Sequence, residues 1–245
     1  LNTVESRLTA ALDIKKAPKK EVAKAYNTYK AANIRPSGNG FTGAPVVAPD
    51  EIDRKKGEMS WNNLEEMLAG FAYDAYYNHS EQAKKNYFLV WDYAIDQGFA
   101  FGSGMGTNHH YGYQVRKIYT TAWLMRDAIW KAPNRDNILS ALIFWSALQE
   151  TRIPFQYGRD ELLDSWHTLL MTKTVAALLF VDERERARAL AGLSRWLSGS
   201  LQYSPGTIGG IKVDGTTFHH GGFYPAYTTG VLAMAGQYIS LTNNT

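Results

Sequence analysis

The sequence predicts an all-α protein, and three observations carry the prediction. Apolar residues recur with the helical period along almost the whole chain, cap-type residues stand where those runs begin, and no stretch sustains strand alternation closed by hairpin turns. Pro18, at a first-turn position, leads into Val22, Ala25, Tyr26 and Tyr29, a helix ending near Asn33. Residues 35–50 are rich in glycine and proline and read as a connection that separates this N-terminal helical segment from the main body. Ser60 caps a helix carrying Leu64, Met67, Leu68, Phe71 and Ala75, and Ser80 with Glu81 behind it starts the next, with Tyr87, Val90, Trp91 and Ala94. A glycine-rich loop over 98–108 precedes a helix over about 112–130, and Asn134 caps the one after it. A further helix spans about 160–180, and Asp182 caps another that ends near Leu201. A second glycine-rich loop, 203–218, leads to a last helix beginning near Pro225. Helices joined alternately by short and long connections suggest successive hairpins, which pack as a bundle, a solenoid or a ring. No residue-level repeat identifies a tetratricopeptide or HEAT array.

The composition narrows the function. At 245 residues, 45% hydrophobic and 20% charged, the chain can bury one large core or two small ones. It contains no cysteine, which removes disulfide scaffolds, thiolate zinc sites, iron–sulfur clusters and cysteine nucleophiles. Its longest apolar runs, such as Val175 to Val181, are too short to span a membrane. The net charge of +3 comes from residues 1–60, and this excess is too dilute for a nucleic-acid groove. The chain has no initiator Met and no targeting motif, and it reads as a piece of a longer protein. Aromatic residues make up 13%, an excess that suits either helical cores or sugar-stacking platforms.

The six histidines are unevenly placed. His79 stands beside a helix cap and His167 inside an apolar helix, where a hydrogen-bonded core histidine is the simplest reading. The other four form two adjacent pairs, His109-His110 and His219-His220, each ending a glycine-rich loop just before a helix. Loops held by rigid helices are where binding residues concentrate. Adjacent histidines point apart and neither pair has the i, i+4 spacing of a metal site, so no metal is expected. Asp92, Asp96, Asp160 and Asp214 give no convincing carboxylate pair for glycoside hydrolysis. Histidine with tyrosine suits another reaction, β-elimination from a uronic acid. It needs donors to neutralise the carboxylate, a base for the adjacent carbon-bound proton and an acid for the departing oxygen. Free tyrosine titrates near pKa ~10 and free histidine near ~6.5, so a tyrosine base needs cationic or imidazole neighbours. His220, in the loop, and Tyr227, in the first or second turn after Pro225, are placed to converge.

The segment His220-Gly221-Gly222-Phe223-Tyr224-Pro225-Ala226-Tyr227, its approach Val213-Asp214-Gly215-Thr216, and the stretch His109-His110-Tyr111-Gly112-Tyr113 carry a resemblance. They resemble the chondroitin sulfate ABC lyases of polysaccharide lyase family 8, above all the broad-specificity members, over about residues 107–242. The resemblance implies an incomplete α/α toroid of helical hairpins, with residues 1–245 forming the N-terminal part of a larger protein's catalytic domain. Tyr227 would match the tyrosine proposed to abstract the C5 proton and protonate the leaving oxygen. His220 would match the histidine that assists as base or carboxylate neutraliser. His110 would match a second base on the opposite face of the sugar, allowing iduronate (dermatan) as well as glucuronate (chondroitin). His109, Asn108 and His219 adjoin these and would contact substrate; where relatives carry arginine beside the catalytic histidine, this chain has His219. The family's site arginine and glutamate would fall beyond residue 245, since the last arginine here is Arg195 and the last acidic residue Asp214.

Two further binding residues are read from position. Trp61, at a helix start beside Asn62 and Asn63, is a candidate sugar platform, and Arg116, with Lys117, a candidate partner for sulfate or carboxylate. The expected partners are a sulfated glycosaminoglycan substrate and the remaining domains of the parent chain, with no nucleic acid and no membrane. No cofactor is expected, whether a divalent cation assists is left open, and the location implied is periplasmic or secreted in a bacterium. The competing readings are a non-catalytic carbohydrate-binding helical fragment and a glycoside hydrolase on a helical toroid.

Overall fold

The computed structural model describes residues 1–47, 57–104, 111–157 and 162–245. It is predominantly helical, as expected, and divides into two compact units, residues 11–145 and residues 1–10 with 146–245. No helix among the described residues is long and apolar enough to cross a membrane.

α1 (Asn2–Leu12) opens the chain, its residues through Ala10 belonging to the second unit. In the first unit α2 (Lys19–Ala32) ends at Asn33, whose φ of 51° is left-handed and whose N–H bonds back to Tyr29 O. Within the expected connection, β1 (Arg35–Ser37) and β2 (Gly40–Thr42) form a hairpin with Pro36 opposite Phe41. These strands are only three residues long, too short to show alternation. α3 (Trp61–Tyr77) begins at Ser60, whose N–H donates to Asn63 Oδ1 at 3.0 Å, half of a capping box. α2 and α3 approach closely at Gly70, where a Cβ would run into the Ala25 methyl and stand 2.9 Å from Glu21 O. α4 (Glu81–Asp96) is capped by Ser80, whose Oγ accepts from Ala83 N at 3.1 Å. The expected helix over 112–130 is broken into α5 (Arg116–Leu124) and α6 (Arg126–Lys131) around Met125. α7 (Arg135–Trp145) follows, and Trp61, Trp91, Phe99, Tyr111 and Trp145 form the aromatic centre of the unit.

The second unit is built on α8 (Leu170–Leu178), α9 (Glu183–Ser200) and α10 (Pro225–Thr242). The helix expected over 160–180 is interrupted: a short α stretch, Leu162–Asp164, passes through a π-helical turn, Ser165–Leu169, before α8. Asp182 caps α9, its Oδ1 accepting from Arg184 N at 2.8 Å and Glu185 N at 3.0 Å. Leu163, Trp166, Leu170, Leu193, Trp196, Val231 and Tyr238 form the core. Arg7 on α1 donates to the carbonyls of Leu241 and Asn243, satisfying acceptors at the end of α10. The glycine-rich segment 203–218 is also more ordered than expected. β3 (Gly210–Ile211), β4 (Thr217–His219) and β5 (Gly222–Phe223) make a small antiparallel sheet at the start of α10. Buried Lys212 supports it, its Nζ donating to Ser204 Oγ at 2.8 Å and to Ile208 O at 2.5 Å.

Candidate active site

The second histidine pair sits at the turn between β4 and β5. His219 pairs with Gly222, leaving His220 and Gly221 as a two-residue loop with φ of 52° and 72°. Positive φ at both positions is what a type I′ hairpin turn requires, and its twist matches that of the strands it joins. A non-glycine residue there costs about 1–2 kcal/mol, and histidine is among those that tolerate it. Strand alternation then sorts the imidazoles. Thr217 and His219 face inward and are buried, while His220, in the turn, is exposed.

The helix start completes the cluster. Tyr224 N donates to Thr217 O at 2.8 Å, and the Thr217 and Thr228 hydroxyls are bonded, which locks α10 against β4. Pro225 takes the first helical position, so Tyr227 falls in the first turn, half-buried. The His219 ring lies 3.8 Å from His220, 5.3 Å from Tyr224 and 5.3 Å from Tyr227, centroid to centroid. Tyr224 lies 4.9 Å from Tyr227 and 6.1 Å from His220. The structure thus brings His220 and Tyr227 against two shared neighbours, within a stretch of eight residues.

Three residues of this cluster were not singled out as site residues from the sequence. Asp164, 6% exposed, places Oδ2 3.2 Å from His219 Nε2, just before the π-helical turn. The carboxylate packs against that edge of the ring. His167, within the turn, lies 6.0 Å from Tyr227 and is half-buried rather than a core residue. It abuts α10 at Gly230, where a Cβ would stand 2.8 Å from its Nε2. Tyr224 bridges the site rings, although its place in the Tyr-Pro-Ala-Tyr run was visible. Nothing in the spacing points to Asp164, which is fifty-five positions from His219.

Two expectations are corrected. His219 is not at the surface as a substrate contact was expected to be: it is 1% exposed, with its outer edge covered by Asp164 and the neighbouring rings. Trp61 is not a sugar platform. It is 0% exposed, with ring centroids 4.8 Å from Tyr111 and 5.0 Å from Phe99. It falls on the stripe of Leu64, Leu68 and Phe71 on α3, which faces the core, while Asn63 is spent on the helix cap. Arg116 opens α5, half-buried, with its guanidinium 5.6 Å from the Tyr113 ring centroid. Lys117 is held by Glu21 at 2.8 Å, and its N–H donates to Glu65, whose carboxyl burial pushes up to about 7. His110, His109 and Asn108 lie outside the described residues. Among the described residues no group of three or more histidine or acidic side chains is placed to hold a metal ion.

The chain is thus a helical protein that fixes an imidazole–phenol cluster at a strand-to-helix corner. The chain belongs to the family described as "Lyase, catalytic", whose model matches residues 1–245. It is 33% identical over 178 residues to a chondroitin sulfate ABC exolyase of Bacteroides thetaiotaomicron, covering 69% of this chain and 17% of that protein. It is 32% identical over 166 residues to a chondroitin sulfate ABC endolyase of Proteus vulgaris, covering 67% of this chain and 16% of the relative. A chondroitin sulfate ABC exolyase of Proteus vulgaris is 31% identical over 151 residues, 60% of this chain and 15% of its own length. The chain therefore spans about a sixth of the length of these relatives.

Proposed function

We propose that the protein contributes the Tyr227–His220 part of the active site of a polysaccharide lyase that cleaves chondroitin and dermatan sulfate by β-elimination. One observation carries the reading: two groups able to move protons, one exposed and one half-buried, are held at one corner against His219 and Tyr224. Tyr227, as phenolate, takes the C5 proton of the uronic acid. The electron pair left on C5 forms the C4–C5 double bond as the C4–O bond breaks, and the phenol proton passes to the departing oxygen. His220 donates to the uronate carboxylate, where negative charge develops before the bond breaks. Asp164 and His219 keep the pair in register from below. His110 serves as the second base for iduronate, in keeping with the resemblance of the 109–113 stretch. The substrate is an extracellular polymer, which suits a periplasmic or secreted enzyme, and further domains of the parent chain supply the remaining site residues.

The test is the appearance of unsaturated uronate absorbance when the full protein is incubated with chondroitin or dermatan sulfate. Tyr227→Phe is expected to lower turnover by about 10²–10⁴-fold, the range for a positioned proton-transfer group. Normal turnover in that variant, or products without the unsaturated end group, would refute the assignment. A loss confined to dermatan sulfate in His110→Ala is the expected signature of two bases.

A further inference from the structure

We propose that the first unit carries a second binding site, for an acidic oligosaccharide, in a groove between the β1–β2 hairpin, α4 and the turn from α6 to α7. The groove has a volume of about 600 Å³, within the ~300–1,000 Å³ range of small-ligand sites. Phe41, Phe88, Leu89 and Pro133 supply an apolar floor, suited to the C–H faces of sugar rings.

Its rim is cationic. Lys84, Lys85 and Lys131 line the groove, and no ion pair is formed by any of them among the described residues. Two other lysines of this unit are paired, Lys24 with Glu66 and Lys117 with Glu21. Lys84 and Lys85 also lie early in α4, close to the helix end where the macrodipole favours anions. Three lysines gathered around one apolar groove complement a carboxylated or sulfated ligand. The one carboxylate in the wall, Asp92, is already engaged by the Asn134 amide. That bond fixes the amide orientation, because Nδ2 must face the carboxylate. Anionic groups and apolar ring faces together describe an acidic sugar. The identification of that sugar as a glycosaminoglycan rests on the lyase reading.

The experiment compares Tyr227→Phe protein, to suppress turnover, with the same protein carrying Lys84→Ala, Lys85→Ala and Lys131→Ala. Both are titrated calorimetrically with a chondroitin sulfate dodecasaccharide. The triple change is expected to weaken binding at least fivefold and to flatten its salt dependence, since exposed charges are screened beyond about 10 Å at 0.1 M. With Tyr227 intact, turnover of a tetrasaccharide stays at the parent rate. Phe88→Ala, which changes no charge and removes part of the apolar floor, is expected to weaken binding as well. Unchanged affinity in the triple variant overturns the proposal. So does an affinity that responds to the lysines but not to Phe88, which marks diffuse attraction, or equal binding of polyglutamate of matched charge. If the oligosaccharide binds through this groove while no unsaturated product ever forms, the site stands and the lyase reading falls.

Discussion

Gly230→Ala tests the packing beneath the proposed base. Gly230 lies on the α10 face that meets the π-helical turn, and its missing side chain makes room for His167. An added Cβ would stand 2.8 Å from His167 Nε2, 2.9 Å from Cδ2 and 3.4 Å from Cε1. Restoring ordinary contact requires the ring, or the helix, to retreat by about 0.6 Å. Such overpacking costs ~1–3 kcal/mol, against a gain of ~1 kcal/mol for replacing glycine inside a helix. The net expectation is a loss of about 0–2 kcal/mol, read from the urea midpoint. Turnover should suffer more than stability, because His167 lies against Tyr227 and a displacement of ~1 Å at a reacting group can cost ~10²-fold. We expect roughly a tenfold fall in kcat with little change in KM. Adding His167→Ala should recover part of the lost stability, a coupling that a double-mutant cycle isolates. A Gly230→Ala protein that gains about 1 kcal/mol and keeps its turnover would show that His167 does not occupy this space.

Two further changes probe the other unit. Trp61→Ala should cost ~3–5 kcal/mol through the cavity left among Phe99, Tyr111 and Trp145, without raising KM in the protein that remains folded. A large KM effect at unchanged stability would return Trp61 to the substrate. Glu65 should make stability pH-dependent. Its carboxyl, raised from 4.5 to about 7 by burial, binds more protons folded than unfolded between those values. Its contribution is therefore full below about pH 4.5 and is lost as pH rises towards 7, amounting to at most about 3 kcal/mol. Glu65→Gln should flatten the stability profile across that window, as denaturation midpoints at several pH values will show.

Local signals were the legible part of the molecule. Ser80, Asp182 and Pro225 open helices as their chemistry dictates, and Asn33 ends one, because caps act on backbone groups a few residues away. What escaped depends on partners distant in sequence. The π-helical turn keeps the apolar pattern of a continuous helix, so nothing in 160–180 betrays it. The Asp164–His219 contact exists only because α10 and β4 fold back onto that turn. Trp61 is an instructive miss: its spacing to Leu64, Leu68 and Phe71 marked a core stripe, but the polar residues beside it drew the reading outward. For the site, the local run from Thr217 to Thr228 was readable as a unit. The sorting of its two imidazoles into one buried and one exposed was not, because it follows from a turn type the sequence had masked as loop.

That turn changes how the site should be interrogated. His220 is at once a chemical group and a backbone element, so His220→Ala deletes the imidazole and also fills a left-handed position with a residue poorly suited to it. Asparagine and glycine remove the imidazole while preserving the hairpin, and they are the informative replacements. The backbone at this position therefore tolerates few residue types, and the ones it tolerates best after histidine keep the corner folded without an imidazole.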